Sequence, residues 1–318
     1  MLQDYQGIIE ASSVPTNTNV IKFNKGDVLL SNIRPYLKKV WFADKNGGCS
    51  ADVFVFKALS ACIPDFLHYI IANDRFINFA MSGAKGVKMP RGDKEQMKTY
   101  EIGLPSIEEQ KKIAKLLSLL DERIATQNKI IDKLQSLIKG LRVSLMQIEN
   151  GNIVHLGEIA QIYQPQTIFS TELTEDGFLV YGANGIIGKY KQYNHKTEQI
   201  CITCRGNTCG MVNYTKPMSW ITGNAMVINT DEHQNKVCKR YLYHYLSAYN
   251  FNSIISGSGQ PQIVRTPLEQ LKVPLPTFLE QKQKATFLDK IQGQIEISNK
   301  TLKLYLQQKQ YLLRQMFI

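Results

Sequence analysis

Three cysteines lie close together in the segment CITCRGNTC, at positions 201, 204 and 209. Thiolates bind zinc, and His195, His233 or Cys238 could supply a fourth ligand. However, the spacing is not that of a compact four-ligand site, and the similar segment VLLSNIR near residue 30 contains no cysteine. We therefore expect no metal here and interpret the cysteines as buried or half-buried thiols.

The segment GANGIIGKY has the glycine and lysine content of a phosphate-binding loop. Five residues rather than four separate Gly182 from Gly188, and Tyr190 occupies the position where Ser or Thr would bind magnesium. The segment is better explained as a glycine-rich turn between two strands. Lys189 and Lys191 remain candidate phosphate contacts beside that turn.

Recognisable catalytic motifs are missing from the sequence. It has neither the Asn/Asp-Pro-Pro-aromatic motif of an adenine methyltransferase nor a glycine-rich cofactor loop. The acidic cluster RGDKEQMK lacks a lysine two residues after Glu95, so it does not support a nuclease centre. The five histidines form no recognisable ligand pair or catalytic triad. The sequence therefore predicts no catalytic residues and no cofactor.

Basic and amide side chains are concentrated in loops that adjoin short predicted strands. Arg, Asn and Gln can make bidentate contacts with guanine or adenine edges, whereas Lys mostly contacts phosphate. The candidate DNA-binding residues are Arg34, Lys38, Lys39, Lys85, Lys88, Arg91, Lys189, Lys191, Arg205, Asn207, Gln260, Gln262 and Arg265. Alternatively, several of these are solvated loop charges, and Arg91 and Arg265 anchor the helix that follows each of them.

The composition is compatible with a DNA-binding protein of two domains. The chain has 318 residues, 43% of them hydrophobic, and a formal net charge of +11, which favours a polyanionic partner. Its first residues, MLQDYQGIIEASS, lack the features of a signal peptide, and no apolar run approaches the roughly 20 residues of a membrane span. We expect a cytoplasmic protein with reduced thiols.

A long helical pattern occurs twice. Residues 104–124, LPSIEEQKKIAKLLSLLDERI, match residues 275–295, LPTFLEQKQKATFLDKIQGQI, at an offset of 171. Ser106 with Glu109, and Thr277 with Glu280, have the S/T-x-x-E spacing of a capping box. Each copy therefore predicts a helix that starts at this box.

Apolar residues continue at heptad spacing through both helices, which predicts a coiled coil. The seam residues are Ile113, Leu117, Leu120, Ile124, Ile131, Leu134, Leu288, Ile291, Ile295, Leu302, Tyr305 and Leu312. Gln127 and Ser298 interrupt the two seams at equivalent positions. Each helix should run for about 40 residues, or about 60 Å, with the first ending near Asn150. Two such helices in a tandem repeat should pack antiparallel.

The repeat extends upstream of both helices. MPRGDKEQMK (89–98) aligns with IVRTPLEQLK (263–272) at an offset of 174, which implies three extra residues before the first helix. GDVLLSNIR and QICITCRGN, like SADVFVF and TGNAMVI, are matched predicted strands. We predict an α+β fold with two pseudo-repeated domains, each followed by a long helix. The predicted boundaries are 1–103, 104–150, 151–274 and 275–318.

The order of these motifs resembles that of the specificity (S) subunits of type I restriction–modification systems. The resemblance rests on GDVLLSNIRPYLKKVWF, SGSGQPQI, LGEIAQI, YGANGIIGKY and both LP…EQ helix starts. It implies two target-recognition domains, each reading half of a bipartite site in double-stranded DNA. It further implies an antiparallel coiled coil that spaces these domains. The implied partners are methyltransferase (M) and restriction/translocase (R) subunits, and the chain itself is expected to have no catalytic activity.

One departure from the family concerns the first domain. The second half opens with about twenty residues, including LGEIAQI, that have no match in the first half. The first domain is therefore expected to be shortened and to lack an opening strand. Two alternative functions remain: a nucleotide-dependent nuclease, and a basic coiled-coil scaffold without sequence-specific DNA recognition.

Overall fold

A computed structural model of the chain describes residue 8 and residues 20–146, 152–183, 185–257 and 259–317. The chain divides into two compact units. Unit 1 comprises Met1–Lys129 and Asn299–Ile318, and unit 2 comprises Ile130–Ser298. Both long helices contribute residues to each unit.

Unit 1 is built on a small antiparallel sheet with helices packed against it. Its strands are β1 (Ile21–Phe23), β2 (Val28–Ser31), β3 (Val40–Phe42), β4 (Gly47–Cys49) and β5 (Val53–Phe56). Strands β3, β2 and β5 form the sheet in that order, while β1 pairs with β4. The helices are α1 (Pro64–Ile71), α2 (Asp74–Ser82), α3 (Lys94–Lys98) and the start of α4 (Ile107–Met146). Apolar residues of β2, α1 and α2 form the core.

Unit 2 contains more strands. They are β6 (Asn152–His155), β7 (Gln161–Tyr163), β8 (Phe178–Gly182), β9 (Gly185–Tyr190), β10 (Ile200–Thr203), β11 (Val212–Tyr214), β12 (Trp220–Ile221), β13 (Ala225–Asn229) and β14 (Lys272–Leu275). Its helices are α5 (Lys239–Ala248), α6 (Arg265–Glu269) and most of α7 (Phe278–Met316). The sheets have the orders β11-β10-β13-β7, β12-β8-β9 and β14-β6.

The central sheets of the two units have the same register. Val28 pairs with Phe42 on β3 and with Phe56 on β5. Ile200 pairs with Tyr214 on β11 and Ile228 on β13, so all three positions recur 172 residues later. This agreement confirms the predicted α+β repeat and the matched strands, because a one-residue slip would reverse the buried and exposed faces.

Both long helices begin at the predicted capping boxes. The Glu109 carboxylate accepts hydrogen bonds from the Ser106 backbone N–H (3.0 Å) and hydroxyl (2.9 Å). Glu280 accepts the same pair of bonds from Thr277, at 2.9 and 2.6 Å. These bonds hold the pKa of each glutamate below its usual value and satisfy backbone donors that the first helical turn leaves unpaired.

The two long helices pack antiparallel within each unit. In unit 1, Lys309 of α7 donates to Asp121 of α4, and Leu312 packs with Leu117. In unit 2, Lys284 of α7 donates to the Leu145 carbonyl of α4 at 2.7 Å. All twelve predicted seam residues are buried or half-buried, as are Gln127 and Ser298. The predicted end of the first helix near Asn150 lies outside the described residues.

The offset of 174 proposed for the segment before the helices is wrong. Helices α3 and α6 begin at Lys94 and Arg265, which are 171 residues apart. Their buried residues, Met97 and Leu268, keep the same offset. The sequence alignment matched two polar Glu-Gln pairs, each with one half-buried member, but burial of the apolar side chain sets the true equivalence. Arg91 therefore corresponds to Gln262 rather than to Arg265.

The units differ beside the start of each long helix. In unit 2, β14 pairs with β6 over four residues, and Val273 is fully buried. The equivalent residues 101–104 of unit 1 form no strand in the described part of the chain, and Ile102 is 38% exposed. The prediction that the first domain lacks an opening strand concerns residues outside those described.

Candidate nucleic-acid interface

Two loops lie side by side in unit 2, one after β10 and one before α6. The Gly206 N–H donates to the Pro261 carbonyl (2.9 Å), and the Ile263 N–H donates to the Cys204 carbonyl (3.0 Å). These bonds place Arg205 opposite Gln262 in an antiparallel bridge. The loops therefore meet through backbone pairing, which leaves the side chains available for other partners.

Four of the predicted DNA-binding side chains are exposed on this pair of loops. They are Arg205, Asn207, Gln260 and Gln262. One guanidinium and three amides can form bidentate hydrogen bonds with guanine and adenine edges. Within the described residues, none of the four side chains has an ion-pair partner. The structure thus brings together residues that are up to 57 positions apart, from 205 to 262.

The glycine-rich segment forms the predicted turn between β8 and β9. Gly182 pairs with Gly185, whose φ of 82° favours glycine. The turn approaches the loop after β10, because the Thr208 hydroxyl donates to the Ala183 carbonyl at 3.2 Å. Ile186 is 55% exposed on the same hairpin. Asn184 of this segment lies outside the described residues.

Unit 1 contains the same pair of loops. The Arg34 N–H donates to the Pro90 carbonyl (2.8 Å), and the Gly92 N–H donates to the Asn32 carbonyl (3.3 Å). The second loop closes through a bridge between Lys85 and Arg91, as Ser256 and Gln262 close its counterpart in unit 2. The shared backbone brings Arg34, Lys85, Lys88 and Arg91 together.

Two cationic residues of unit 1 adopt a left-handed backbone conformation. Arg34 has a φ of 53° and Lys38 a φ of 50°, which costs energy for residues other than glycine. The Arg34 guanidinium donates to the Lys88 carbonyl at 3.4 Å. Arg34 therefore links the two loops by backbone and side chain, and its strain is of the kind found at functional sites.

Ion pairs hold several of the candidate cations. Lys85 lies 3.1 Å from Asp93, and Arg91 lies 3.3 Å from Asp52. The hydrogen bond from Lys85 and bonds from the backbone keep the pKa of Asp93 below its usual value. Exposed pairs of this kind contribute only about 0–1 kcal/mol. Phosphate groups could therefore compete for both cations.

Five predicted residues do not join the paired loops. Lys38 contacts Asp74 at the start of α2, and Lys39 is half-buried beside it in sequence. Lys189 lies on β9, 3.5 Å from Asp176, and Lys191 is exposed just beyond that strand. Arg265 pairs with Glu269 on its own helix at 2.6 Å. Their assignment to DNA binding stays a prediction.

The cysteines do not form a metal-binding cluster in the part of the chain that the structure describes. Cys201 and Cys204 are buried, and Cys209 is half-buried. Burial raises the pKa of the Cys201 thiol to about 12, so this group stays protonated at neutral pH. The burial agrees with the interpretation as buried or half-buried thiols.

Two buried glutamines escaped the sequence analysis. Gln110 donates to the carbonyls of Ala61 and Pro105, and it accepts from the Ile63 N–H, each at 2.9 Å. In unit 2, Gln281 forms the same three bonds with Lys236, Pro276 and Cys238, at 2.9–3.1 Å. Each glutamine thus fastens the loop before α1 or α5 to the start of a long helix. The repeated Glu-Gln pair was the available signal.

Among the described residues, no helix combines the length and hydropathy needed to cross a membrane.

The family model of the type I restriction modification DNA specificity domain matches residues 5–136 and 149–307. The type I restriction enzyme MjaVIII specificity subunit of Methanocaldococcus jannaschii is 28% identical over 269 residues, which cover 70% of this chain and 62% of that protein. The EcoprrI specificity subunit of Escherichia coli is 31% identical over 140 residues, which cover 42% and 34%. The chain thus aligns with less than two thirds of either relative.

Solved structures support the same fold. The S subunit of a type I restriction-modification system from M. genitalium has a TM-score of 0.69 at 19% identity, and the match covers 100% of this chain and 88% of that one. A chain from a type I R-M system studied for complex assembly has a TM-score of 0.57 at 20% identity, over 93% and 82%. With both halves matched by the family model, the chain belongs to the type I restriction modification DNA specificity domain family.

Proposed function

We propose that this chain is the DNA-recognition subunit of a type I restriction–modification complex and has no catalytic activity of its own. It reads a bipartite, asymmetric site in double-stranded DNA, one half with each unit, and docks the methyltransferase and restriction/translocase subunits. The observation that carries the proposal is the repeated pair of loops. The two units share its backbone pairing but present different side chains.

The chemistry of the unit 2 loops suits base recognition. Arg205 can bind the O6 and N7 atoms of guanine, while Asn207 and Gln262 can each bind N6 and N7 of adenine. All three side chains are exposed. The cations of unit 1 are better suited to contacts with phosphate than to contacts with bases, although the Arg91 guanidinium can also bind a guanine edge. Because the two sets differ, the two half-sites should differ as well.

The long helices suit the spacing of half-sites and the docking of partners. Helix α4 has 40 residues and α7 has 39, and both pass through the two units. Several apolar side chains are exposed on them outside the seam, including Leu116, Leu137 and Phe287. Exposed apolar side chains on helices favour protein partners, and we assign this role to the methyltransferase subunits.

The base contacts are tested by replacing Arg205, Asn207 and Gln262 with Ala in the complex with its cognate methyltransferase subunits. We expect one half of the methylated sequence to become relaxed or lost, because each bidentate contact contributes about 1–3 kcal/mol of discrimination. Methylome sequencing measures this directly. The matched control is Gln135→Ala, an exposed amide on α4. Equal changes in both half-sites would contradict the assignment.

The spacing role is tested by inserting seven residues into both helices, after Gln127 and after Ser298. One heptad keeps the seam in register and adds about 10.5 Å, close to three base pairs. The undefined gap of the methylated sequence should widen by about three base pairs while its specific bases remain. A change in the specific bases with an unchanged gap would disprove the spacing role.

The absence of catalysis is tested with the purified chain alone. We expect it to neither cleave nor methylate DNA in the presence of ATP, S-adenosylmethionine and Mg²⁺. Activity at an ordinary turnover rate from a preparation free of partner subunits would contradict the proposal.

A further inference from the structure

The second loops of the two units are closed by matching backbone bridges but differ in the chemistry of their tips. Residues 85–91 read KGVKMPR, and residues 256–262 read SGSGQPQ. Gly86 and Gly257 have φ values of 98° and 91°, and a proline, Pro90 or Pro261, ends each tip. A bound duplex would therefore meet loops that are closed in the same way in each unit but carry different residues in their tips.

We propose that Val87, with Met89 beside it, is a specificity-determining contact that reads the C5-methyl group of a thymine in the major groove. This inference rests on the proposed function of DNA recognition. A valine side chain can neither donate nor accept a hydrogen bond. The thymine methyl is the apolar feature that base edges present in the major groove, so it is the feature that such a side chain can recognise.

The position of Val87 supports this role. Its side chain is fully exposed, with a relative exposure of 101%, and Met89 is 48% exposed. Lys85 and Lys88, both exposed, lie on either side of Val87 in the loop and suit contacts with phosphate. Water solvates an exposed valine poorly, so covering it on DNA is favourable.

Hydrogen bonds from Arg34 hold the loop at two carbonyls next to its tip. Arg34 donates from its backbone to the Pro90 carbonyl at 2.8 Å and from its side chain to the Lys88 carbonyl. These bonds bracket Met89. Arg34 is thus a positioning residue for the tip.

Unit 2 should not depend on a methyl group in the same way. The described residues of its tip include Gly259 and Gln260, which offer backbone and amide hydrogen bonds instead. Amides favour adenine. Dependence on a thymine methyl at the tip position is therefore expected in the half-site of unit 1 alone.

The test uses the full chain in complex with its cognate methyltransferase subunits. A pool of randomised duplexes is first selected to define the bound sequence. The half-site of unit 1 is the half that the Arg205, Asn207 and Gln262 variant leaves unchanged. Each thymine in it is then replaced by deoxyuridine, which lacks only the methyl group. At one position, binding by the wild type should weaken about fourfold, the equivalent of one buried methyl group.

Variants then assign the effect to Val87. Val87→Ser should bind the thymine and deoxyuridine duplexes equally, whereas Val87→Thr, which keeps one methyl group, should retain part of the preference. Val264→Ser is the control, because Val264 is an exposed valine outside the tip, and it should keep the full preference.

Three outcomes would overturn the inference. They are a unit 1 half-site without thymine, tolerance of deoxyuridine at every position, and a thymine preference that survives Val87→Ser. If Val87→Ser weakens binding to both duplexes alike and DNA bending decreases, Val87 is a wedge between bases instead. If the complex selects no sequence at all, the proposed function itself fails.

Discussion

Two sets of contacts join the long helices to the rest of each unit, and one set is the same in both units while the other differs. Gln110 and Gln281 form the same three hydrogen bonds. Farther along α1 and α5 the residues differ. In unit 1, Tyr69 donates to Asp121 of α4 at 3.0 Å; in unit 2, His244 contacts Asp289 of α7 at 2.8 Å.

A cation from the other long helix completes each of these clusters. Lys309 of α7 pairs with Asp121, and Arg142 of α4 donates to His244 Nδ1 at 3.2 Å. Burial raises the pKa of Tyr69, and the nearby Asp121 raises it further, so the phenol stays a donor. Backbone groups need the same partner in both units, whereas a side-chain cluster needs only a matching set of donors and acceptors. This difference explains why the same residue type, glutamine, stands at 110 and 281, whereas the two side-chain clusters are built from different residue types.

The largest effect is expected from removing the shared glutamine. Gln281→Ala and Gln110→Ala should each lower the free energy of unfolding by about 3 kcal/mol, because each removes the side-chain partner of one N–H and two carbonyls. Urea denaturation of the full chain measures the change. Gln135→Ala, an exposed glutamine of α4, should change it by less than about 0.5 kcal/mol. Losses below about 1 kcal/mol in either glutamine variant would refute the shared role.

The next effect concerns the strand present in unit 2 alone. Val273→Ala should destabilise the chain by about 2.5 kcal/mol, since Val273 on β14 is fully buried in the core of unit 2. Ile102→Ala at the equivalent exposed position should cost less than about 1 kcal/mol. Thermal unfolding of both variants gives the comparison. Equal losses would show that residues 101–104 are covered as β14 is.

Acid should weaken unit 1 through His68. Burial lowers the pKa of His68 to about 4, with Lys309 lowering it further and Asp121 opposing. The unfolded chain, with an ordinary histidine pKa near 6.5, binds this proton more readily than the folded chain. The stability that depends on neutral His68 is therefore present above about pH 6.5 and is lost as the pH drops toward 4. The free energy of unfolding should fall by about 2 kcal/mol between pH 7 and pH 5.

The control for this pH effect is His68→Phe, which cannot titrate but keeps the aromatic stacking on Phe42, whose ring centroid lies 5.3 Å away. Denaturation at pH 7 and pH 5 should show a smaller loss on acidification in this variant. An unchanged pH dependence would rule out His68 as its source. His244 in unit 2 has a pKa that burial lowers but the hydrogen bond with Asp289 raises, so acid should affect it less.

The smallest effect is expected from the lysines of β9 and its flank. Lys189→Ala and Lys191→Ala together should weaken binding to every DNA sequence alike and reduce the slope of log K against log salt by at most about 2. Lys189 already pairs with Asp176, which limits its contribution. Titrations at several salt concentrations measure the slope. A sequence-dependent loss would mean that these lysines contact bases.

The periodic features could be predicted from the sequence because each depends on neighbours in the chain. The capping boxes at Ser106 and Thr277 act over three residues, and the seam follows from heptad spacing. The short strands around Val28 and Ile200 were recognisable by their apolar runs. The repeat itself identified the family, since the order of its motifs survives even where each motif is weak.

Tertiary structure decided the features that join distant segments. The pairing of Arg205 with Gln262 and of Arg34 with Pro90 depends on backbone hydrogen bonds between loops, which leave no periodic pattern. The equivalence of Arg91 with Gln262 came from the buried Met97 and Leu268, because an apolar side chain must fill the core, whereas polar residues outside the core can match by chance. The sequence determined which elements form; packing determined which side chains share a surface.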